Sequence, residues 1–435
     1  MIYLSTSSVV HAIDYTYTFN AGYEDSNNLS QRVGGEGGSA TDYGIGFTLG
    51  NSLQKEWDLD LIANIDRTNF SGADLNDETN TTIQGSAIYK SLTSNFSFTS
   101  VIDVSQAPVN RFQTQSVNNV RDQFVYALVP SYYFAINPTD RINASYTYLD
   151  FNLDNTNGMQ VGQAQSSQNN SLLVNYAKRI NATNTLAINA RTGKTDFDDA
   201  DGLQVVDYDR DDLFLSWTVS GETDQMQLEL GRSEIVDQQK RKSNLNTQLL
   251  LYTRQLNRTN TFSLGYNKGF NNPLSNIQAT GRINVNQQNN NITAAQETKE
   301  YNTSFVHTGD SLSFNLGYAD AEVSQSFSNN LEKRKTQNAG ITYLISRALN
   351  VSGRSNIVLN YSKSESDFNS TQTNISSNEI ESYSIIYNHV YSSNLVFALS
   401  YSVRDSTQLL NDGTQNITDS ESVFFTVTYS DRGKF

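Results

Sequence analysis

The chain has no cysteine, four prolines and two tryptophans in 435 residues. Without cysteine there is no disulfide scaffold, no thiolate-held zinc and no thiol nucleophile. Charge is scarce too: charged residues make up 17% of the chain, and their balance is -15. Hydrophobic residues reach 37%. The longest apolar run, Phe124 to Val129, falls far short of the ~20 residues a spanning helix needs. Helical membrane proteins, small secreted domains and most metalloenzymes fit this composition poorly. What fills the chain instead is Asn, Ser, Thr and Gln together with 24 Tyr and 21 Phe. A disordered chain of such polarity would be poor in aromatics.

The aromatics are spaced. From Ile13 the apolar side chains fall on every second position: Ile13, Tyr15, Tyr17, Phe19, Ala21 and Tyr23, with Asp14, Thr16, Thr18 and Asn20 between them. Successive side chains of a strand point to opposite faces, so this is a strand with one apolar and one polar side. The pattern recurs at Tyr43 to Leu49, Trp57 to Ile65, Leu213 to Val219, Leu312 to Tyr318, Leu395 to Val403 and Val423 to Tyr429. No comparable helical period competes with it. The fold class is all-β.

Strands of about ten residues alternate between short and long connections. Short ones carry turn chemistry, as in Asn137 to Asp140, Asn181 to Asn184 and Asn257 to Asn260. Another short turn is expected at about Ala348 to Ser355. Long ones include Asp25 to Ala40, Gln106 to Val120, Asn271 to Gln296 and Leu409 to Ser420. The count predicts a closed antiparallel transmembrane β-barrel of about 20 strands, with short periplasmic turns and long extracellular loops. A sheet crosses hydrocarbon only when it closes, because every backbone polar group must be paired there. A sandwich or solenoid would lack the alternation of connection lengths or would show a repeated motif. Residues 1–12 read as the remnant of an export signal or a disordered N-terminus, and residues 13–435 as one barrel domain. Trp57 and Trp217 fall near the turn-side interface, as an aromatic girdle requires.

With this architecture and a terminal Phe435, the chain resembles Gram-negative outer-membrane β-barrels of the porin-like kind. The resemblance spans Ile13 to Phe435 and implies location in the cell outer membrane. It also implies contact with lipid and lipopolysaccharide, and Phe435 as the signal shown to the barrel assembly machinery. Asp431 and Gly433 depart from it, standing where an apolar residue and Tyr are usual. The plain Asn/Ser/Tyr-rich barrel also looks like outer-membrane proteins of exosortase/PEP-CTERM and exopolysaccharide systems.

The expected function is a non-enzymatic channel for ions or small hydrophilic solutes, saccharides among them. The alternative is a structural or secretion partner enclosing an exported polysaccharide, lipoprotein or filament component. No nucleic-acid partner is expected. With about a dozen residues before the first strand, no N-terminal plug is expected, and Asn271 to Gln296 is the candidate constricting loop. Lumen-side positions include Asp14, Asp58, Asp60, Asp66 and Asp103, which favour cations or neutral sugars over anions. No cofactor is expected beyond calcium in the acidic loop Asp196 to Asp212, where Asp196, Asp198, Asp199 and Asp201 supply hard oxygen ligands. Against calcium, Phe197 occupies a ligand place, and a solvated acidic loop is the competing reading. The basic runs Lys240 to Lys242 and Lys333 to Lys335 are expected in long loops, facing lipopolysaccharide phosphates or solvent. Gly309 to Leu312 spells a lipase-like GDSL at a short turn, without the histidine partner that chemistry needs. His307 and His389 lack an evident Ser or carboxylate partner. Pro130 and the slip between Tyr148 and Leu149 read as bulges.

Overall fold

A computed structural model of the chain describes residues 14–29, 35–51, 56–72, 75, 77–92, 94–108, 120–153, 166–198, 207–270, 296–325, 331–345, 354–369 and 375–434. The leader 1–12, the loop 271–295, the turn residues 346–353, Asp199, Asp201 and Phe435 lie outside these. The strands begin with β1 (Asp14–Ser26), β2 (Gly38–Asn51), β3 (Trp57–Ser71), β4 (Glu78–Lys90) and β5 (Phe96–Pro108). Then come β6 (Val120–Ala135), β7 (Asp140–Leu153), β8 (Ser167–Arg179), β9 (Asn184–Phe197) and β10 (Tyr208–Ser220). The third quarter holds β11 (Asp224–Asp237), β12 (Lys242–Gln255), β13 (Asn260–Phe270), β14 (Gln296–Thr308) and β15 (Leu312–Gln325). The last are β16 (Leu331–Leu344), β17 (Arg354–Asn369), β18 (Ile375–Val390), β19 (Leu395–Leu410) and β20 (Gln415–Lys434).

Each strand pairs antiparallel with its sequence neighbours, and β1 pairs with β20 from Asp14↔Lys434 to Ser26↔Ser422. The sheet of 20 strands is thus a closed barrel with no edge, as the sequence predicts. Large side chains mark its outside. Phe19, Tyr23, Tyr43, Ile45 and Ile65 are about half exposed on one face, while Thr16, Thr18, Asn20 and Glu24 alternate with them on the other. The outer apolar belt varies in height. On β6 it runs from Phe124 to Phe134, but on β12 only Leu250 and Tyr252 face outward before Gln248, Asn246 and Asn244 take over.

Three turns repeat one device. Asn137, Asn181 and Asn257 accept, through Oδ1, the backbone NH two and three residues on, which closes each turn without strain. The fourth residue of each turn then accepts a hydrogen bond from a ring on the next strand. Tyr176 donates to Asp140 (2.7 Å), the Trp217 indole donates to Asn184 (3.1 Å), and His307 sits 2.8 Å from Asn260. Asp224 receives Tyr252 in the same way. Trp57 is packed on Tyr89 at the same end of the barrel, ring centroids 4.9 Å apart. Tyr176, Trp217, Tyr252 and His307 are therefore tied to the turns.

Several sequence expectations change. Leu409 to Ser420 is a tight hairpin and not a long loop: β19 runs to Leu410, β20 starts at Gln415, and Gly413 takes the left-handed φ of 83°. Lys333 to Lys335 lie inside β16, because pairing continues beyond the apolar belt. Lys240 and Arg241 form a short turn, and Lys242 opens β12. Ser355 belongs to β17. Pro130 makes no bulge. It lies in register opposite Phe98, while pairing to β7 skips from Leu128 to Ser131 without a shift, as a residue with no NH allows. The slip at Tyr148 is a change of chemistry only. Leu149 and Phe151 keep the inward phase and join Val125 and Ala127 in a buried apolar strip on the inner face.

At the closing seam, Asp431 and Gly433 oppose Tyr17 and Tyr15. Tyr17 donates to Asp431 (2.7 Å), and a Cβ at position 433 would strike the Tyr15 phenol. The rings missing from β20 are supplied by β1.

Candidate functional site: the inner wall

The inner wall falls into sectors. On β1 to β4 it carries Glu24, Asp42, Asp66 and Glu78. Thr68 donates to Asp42 (2.5 Å) and Asn20 to Asp66 (3.2 Å). Among the described residues none of the four carboxylates has a lysine or arginine within ion-pair distance. Asp58 and Asp60 share this face of β3 near the turn end, opposite Ile88 and Ser86. Asp14 is inward as well, 3.6 Å from Arg432.

On β5 to β11 the inner face is buried. Asp103 is 2% exposed and held by Ser105 (2.6 Å) and Gln84 (2.8 Å), with Gln123 completing the chain to Ser105. Further round, Asp212 is clamped between Arg191 (3.3 Å) and Arg210 (2.9 Å) and also accepts the Ser233 hydroxyl. Arg210 lies over the Phe270 ring, next to Ile235 and Leu245. Sequence reading missed this network because Asp212 closes an acidic run taken as loop. In the structure β10 already begins at Tyr208, and only an inward phase on that strand could have singled Asp212 out.

From β15 to β20 the inner face is hydroxyl and amide. Asn315, Asn338, Asn360, Ser362, Ser382, Ser384, Ser402 and Ser422 lie on it, cross-linked by Ser362–Ser382 (2.7 Å), Asn360–Ser384 (3.1 Å) and Ser402–Ser422 (2.8 Å). Charges here are few: the Glu332–Arg334 pair (2.5 Å), Arg404, and Arg354 and Arg432 at the turn-side rim.

The other candidates disperse. Asp196 lies on the outer face of β9, paired with Lys194 (2.5 Å), and Asp198 follows the strand end. Among the described residues no group of three or more metal-ligating side chains comes together. His389 does have a serine partner, contrary to the sequence reading: Ser355 Oγ is 2.8 Å from Nδ1 across the β17–β18 ladder. Ser355 is 7% exposed, and its other contact is the Tyr387 hydroxyl. Gly309 to Ser311 make a two-strand turn with Gly309 NH bonded to Leu312.

No family model matches the chain, and no curated protein matches it either. Solved structures do. The ferric citrate transporter FecA in its unliganded form aligns over 95% of this chain and 78% of its own, at 9% identity and a TM-score of 0.50. OccAB3 of Acinetobacter baumannii aligns over 97% and 99%, at 10% identity and a TM-score of 0.45. The siderophore receptor PirA of Pseudomonas aeruginosa aligns over 96% and 80%, at 14% identity and a TM-score of 0.44. At such identities the likeness concerns the fold, that of an outer-membrane β-barrel, and carries no cargo with it.

Proposed function

We propose that the chain is a non-enzymatic channel of the Gram-negative outer membrane, passing ions and small hydrophilic solutes with a preference for cations. The observation that carries this reading is the unneutralised carboxylate set Glu24, Asp42, Asp66 and Glu78 on the inner face of a closed 20-stranded barrel. A barrel of this strand number encloses more space than side chains alone fill. Carboxylates on a lumen wall raise the local cation concentration and repel anions. Catalysis is disfavoured because Ser355 is covered and no carboxylate backs His389 among the described residues. The test is single-channel conductance of the folded protein in a planar bilayer under a salt gradient. Stable steps with a cation-sided reversal potential are expected. Silence from protein verified as folded overturns the reading and turns attention to an occupied lumen.

A further inference from the structure

We infer that six glycines on the inner face set the bore of the lumen, and with it the largest hydrophilic solute the channel passes. The inference deepens the channel reading and rests on it. Gly22, Gly44, Gly46, Gly265, Gly317 and Gly340 fall in the inward phase of their strands, and at each a side chain from a neighbouring strand lies where a Cβ would stand. Residues directly opposite in an antiparallel pair keep their Cβ atoms about 4.5–5.5 Å apart. Here the far ends of the side chains have crossed that gap. Asn302 lies over Gly265, Asn338 over Gly317, and Asn315 and Asn360 over Gly340 from its two sides. On β2, Asn20 and Asp66 cover Gly44, while Thr18 and Asn64 cover Gly46. The Phe424 ring takes the same posture over Gly22, with Cζ 2.8 Å from the Cβ position.

Hydrogen bonds hold these side chains along the wall. Asn20 donates across β2 to Asp66 (3.2 Å). Asn360 donates to Ser384 on β18 (3.1 Å), while its Oδ1 stays 3.4 Å from the Cβ position of Gly340 on β16. It therefore lies flat from one neighbouring strand to the other. Asn302 donates along its own strand to Glu300 (3.3 Å). Glycine weakens a strand interior, since it has no side chain to pack. What it provides here is a bed in which a neighbour's polar side chain lines the lumen without narrowing it. On the buried arc glycine acts differently. At Gly193 and Gly231 the atoms in the way include backbone, Asn170 O at 3.0 Å and Leu213 O, so these two permit close strand packing.

An alanine at Gly340 meets only the ends of Asn315 and Asn360. Both swing clear by a change of rotamer, and the direction open to them is the lumen. One added methyl thus raises two carboxamides, and the bore shrinks by more than the methyl's own volume while the charge of the wall is untouched.

Gly265→Ala/Gly317→Ala/Gly340→Ala tests this in the full chain, first checked for the heat-modifiable gel mobility of a folded barrel. Where the triple variant fails to fold, Gly340→Ala alone replaces it. The readouts are single-channel conductance in KCl, the smallest neutral polyethylene glycol excluded from the lumen, and the cation/anion permeability ratio. Conductance is expected to fall about twofold and exclusion to begin at a smaller polymer, with the ratio unchanged. Adding Asn302→Ala/Asn315→Ala/Asn338→Ala/Asn360→Ala removes the side chains that were raised, and should return both size readouts to the wild-type values or beyond. For the single variant the added pair is Asn315→Ala/Asn360→Ala. Unchanged conductance, a fall that the added alanines do not reverse, or a ratio that shifts with it overturns the role of the glycines but not the channel. A folded wild-type protein that passes no current overturns the channel reading and the bore with it.

Discussion

Replacing Asp212 by alanine tests whether the buried charge network holds the inner wall together. Asp212 takes Arg191 at 3.3 Å and Arg210 at 2.9 Å, and the three side chains are 4%, 12% and 14% exposed. Removing the carboxylate leaves Arg191 in low dielectric with no counter-charge at contact distance, and orphans the fully buried Ser233 hydroxyl. Stranding one partner of a buried ion pair costs about 3–5 kcal/mol. Arg210 keeps its stacking on Phe270, and Glu229 still attracts Arg191 from farther off, so the lower end, about 3 kcal/mol, is expected. The assay is urea unfolding from lipid vesicles, followed by the fluorescence of Trp57 and Trp217. A fall in midpoint with unchanged slope reports stability alone. Asp212→Ala/Arg191→Leu/Arg210→Leu should recover most of the loss, since a well-packed apolar set replaces buried ions at little net cost. A loss below about 1 kcal/mol for the single variant, or no recovery in the triple, refutes the reasoning.

Two further outcomes follow from the rim and the seam. At the outer end of β11, burial pushes the Asp237 carboxyl up, but the Arg241 side chain and backbone NH outweigh it and hold the group below the usual carboxylate range. The turn stability it contributes is therefore full above about pH 4 and fades as pH drops through the depressed folded value. Hydrogen exchange at residues 238–241, corrected for intrinsic rates, should accelerate in that window, and Asp237→Asn should abolish the transition. At the seam, Gly433→Tyr should obstruct closure by about 1–3 kcal/mol of overpacking against Tyr15. The folded fraction after refolding into detergent should fall, and adding Tyr15→Gly should restore it.

Much of the barrel was legible because its belt is amphipathic at period two, from Tyr15 through Tyr23 and again from Leu395 through Val403. Strand ends were not legible where both faces are polar. Lys333 to Lys335 and Gln415 to Thr418 still pair with their neighbours, and backbone hydrogen bonds leave no mark on composition. The Asn-initiated turns were readable, yet the rings that bond to Asp140, Asn184 and Asn260 come from the following strand and depend on register. The pairing of Ser355 with His389 was hidden for the same reason. On the inner wall, Asp14, Asp58, Asp60, Asp66 and Asp103 all fall in the inward phase of their strands. Their environments differ from accessible to buried, which no spacing in the chain conveys.

The uneven belt has a mechanical consequence. Where β12 offers the bilayer only Leu250 and Tyr252, hydrocarbon tails must shorten or tilt to avoid Gln248 and Asn246. Opposite β6 they can stand at full length along Phe124 to Phe134. In a bilayer such a barrel would lean or carry a dimple of thinned lipid on one flank. Elastic strain of that kind is relieved when two dimples merge. In the membrane channel proposed above, the polar shoulder of β12 would give the cylinder a preferred side toward its neighbours, set by the sheet of lipid rather than by any contact between proteins.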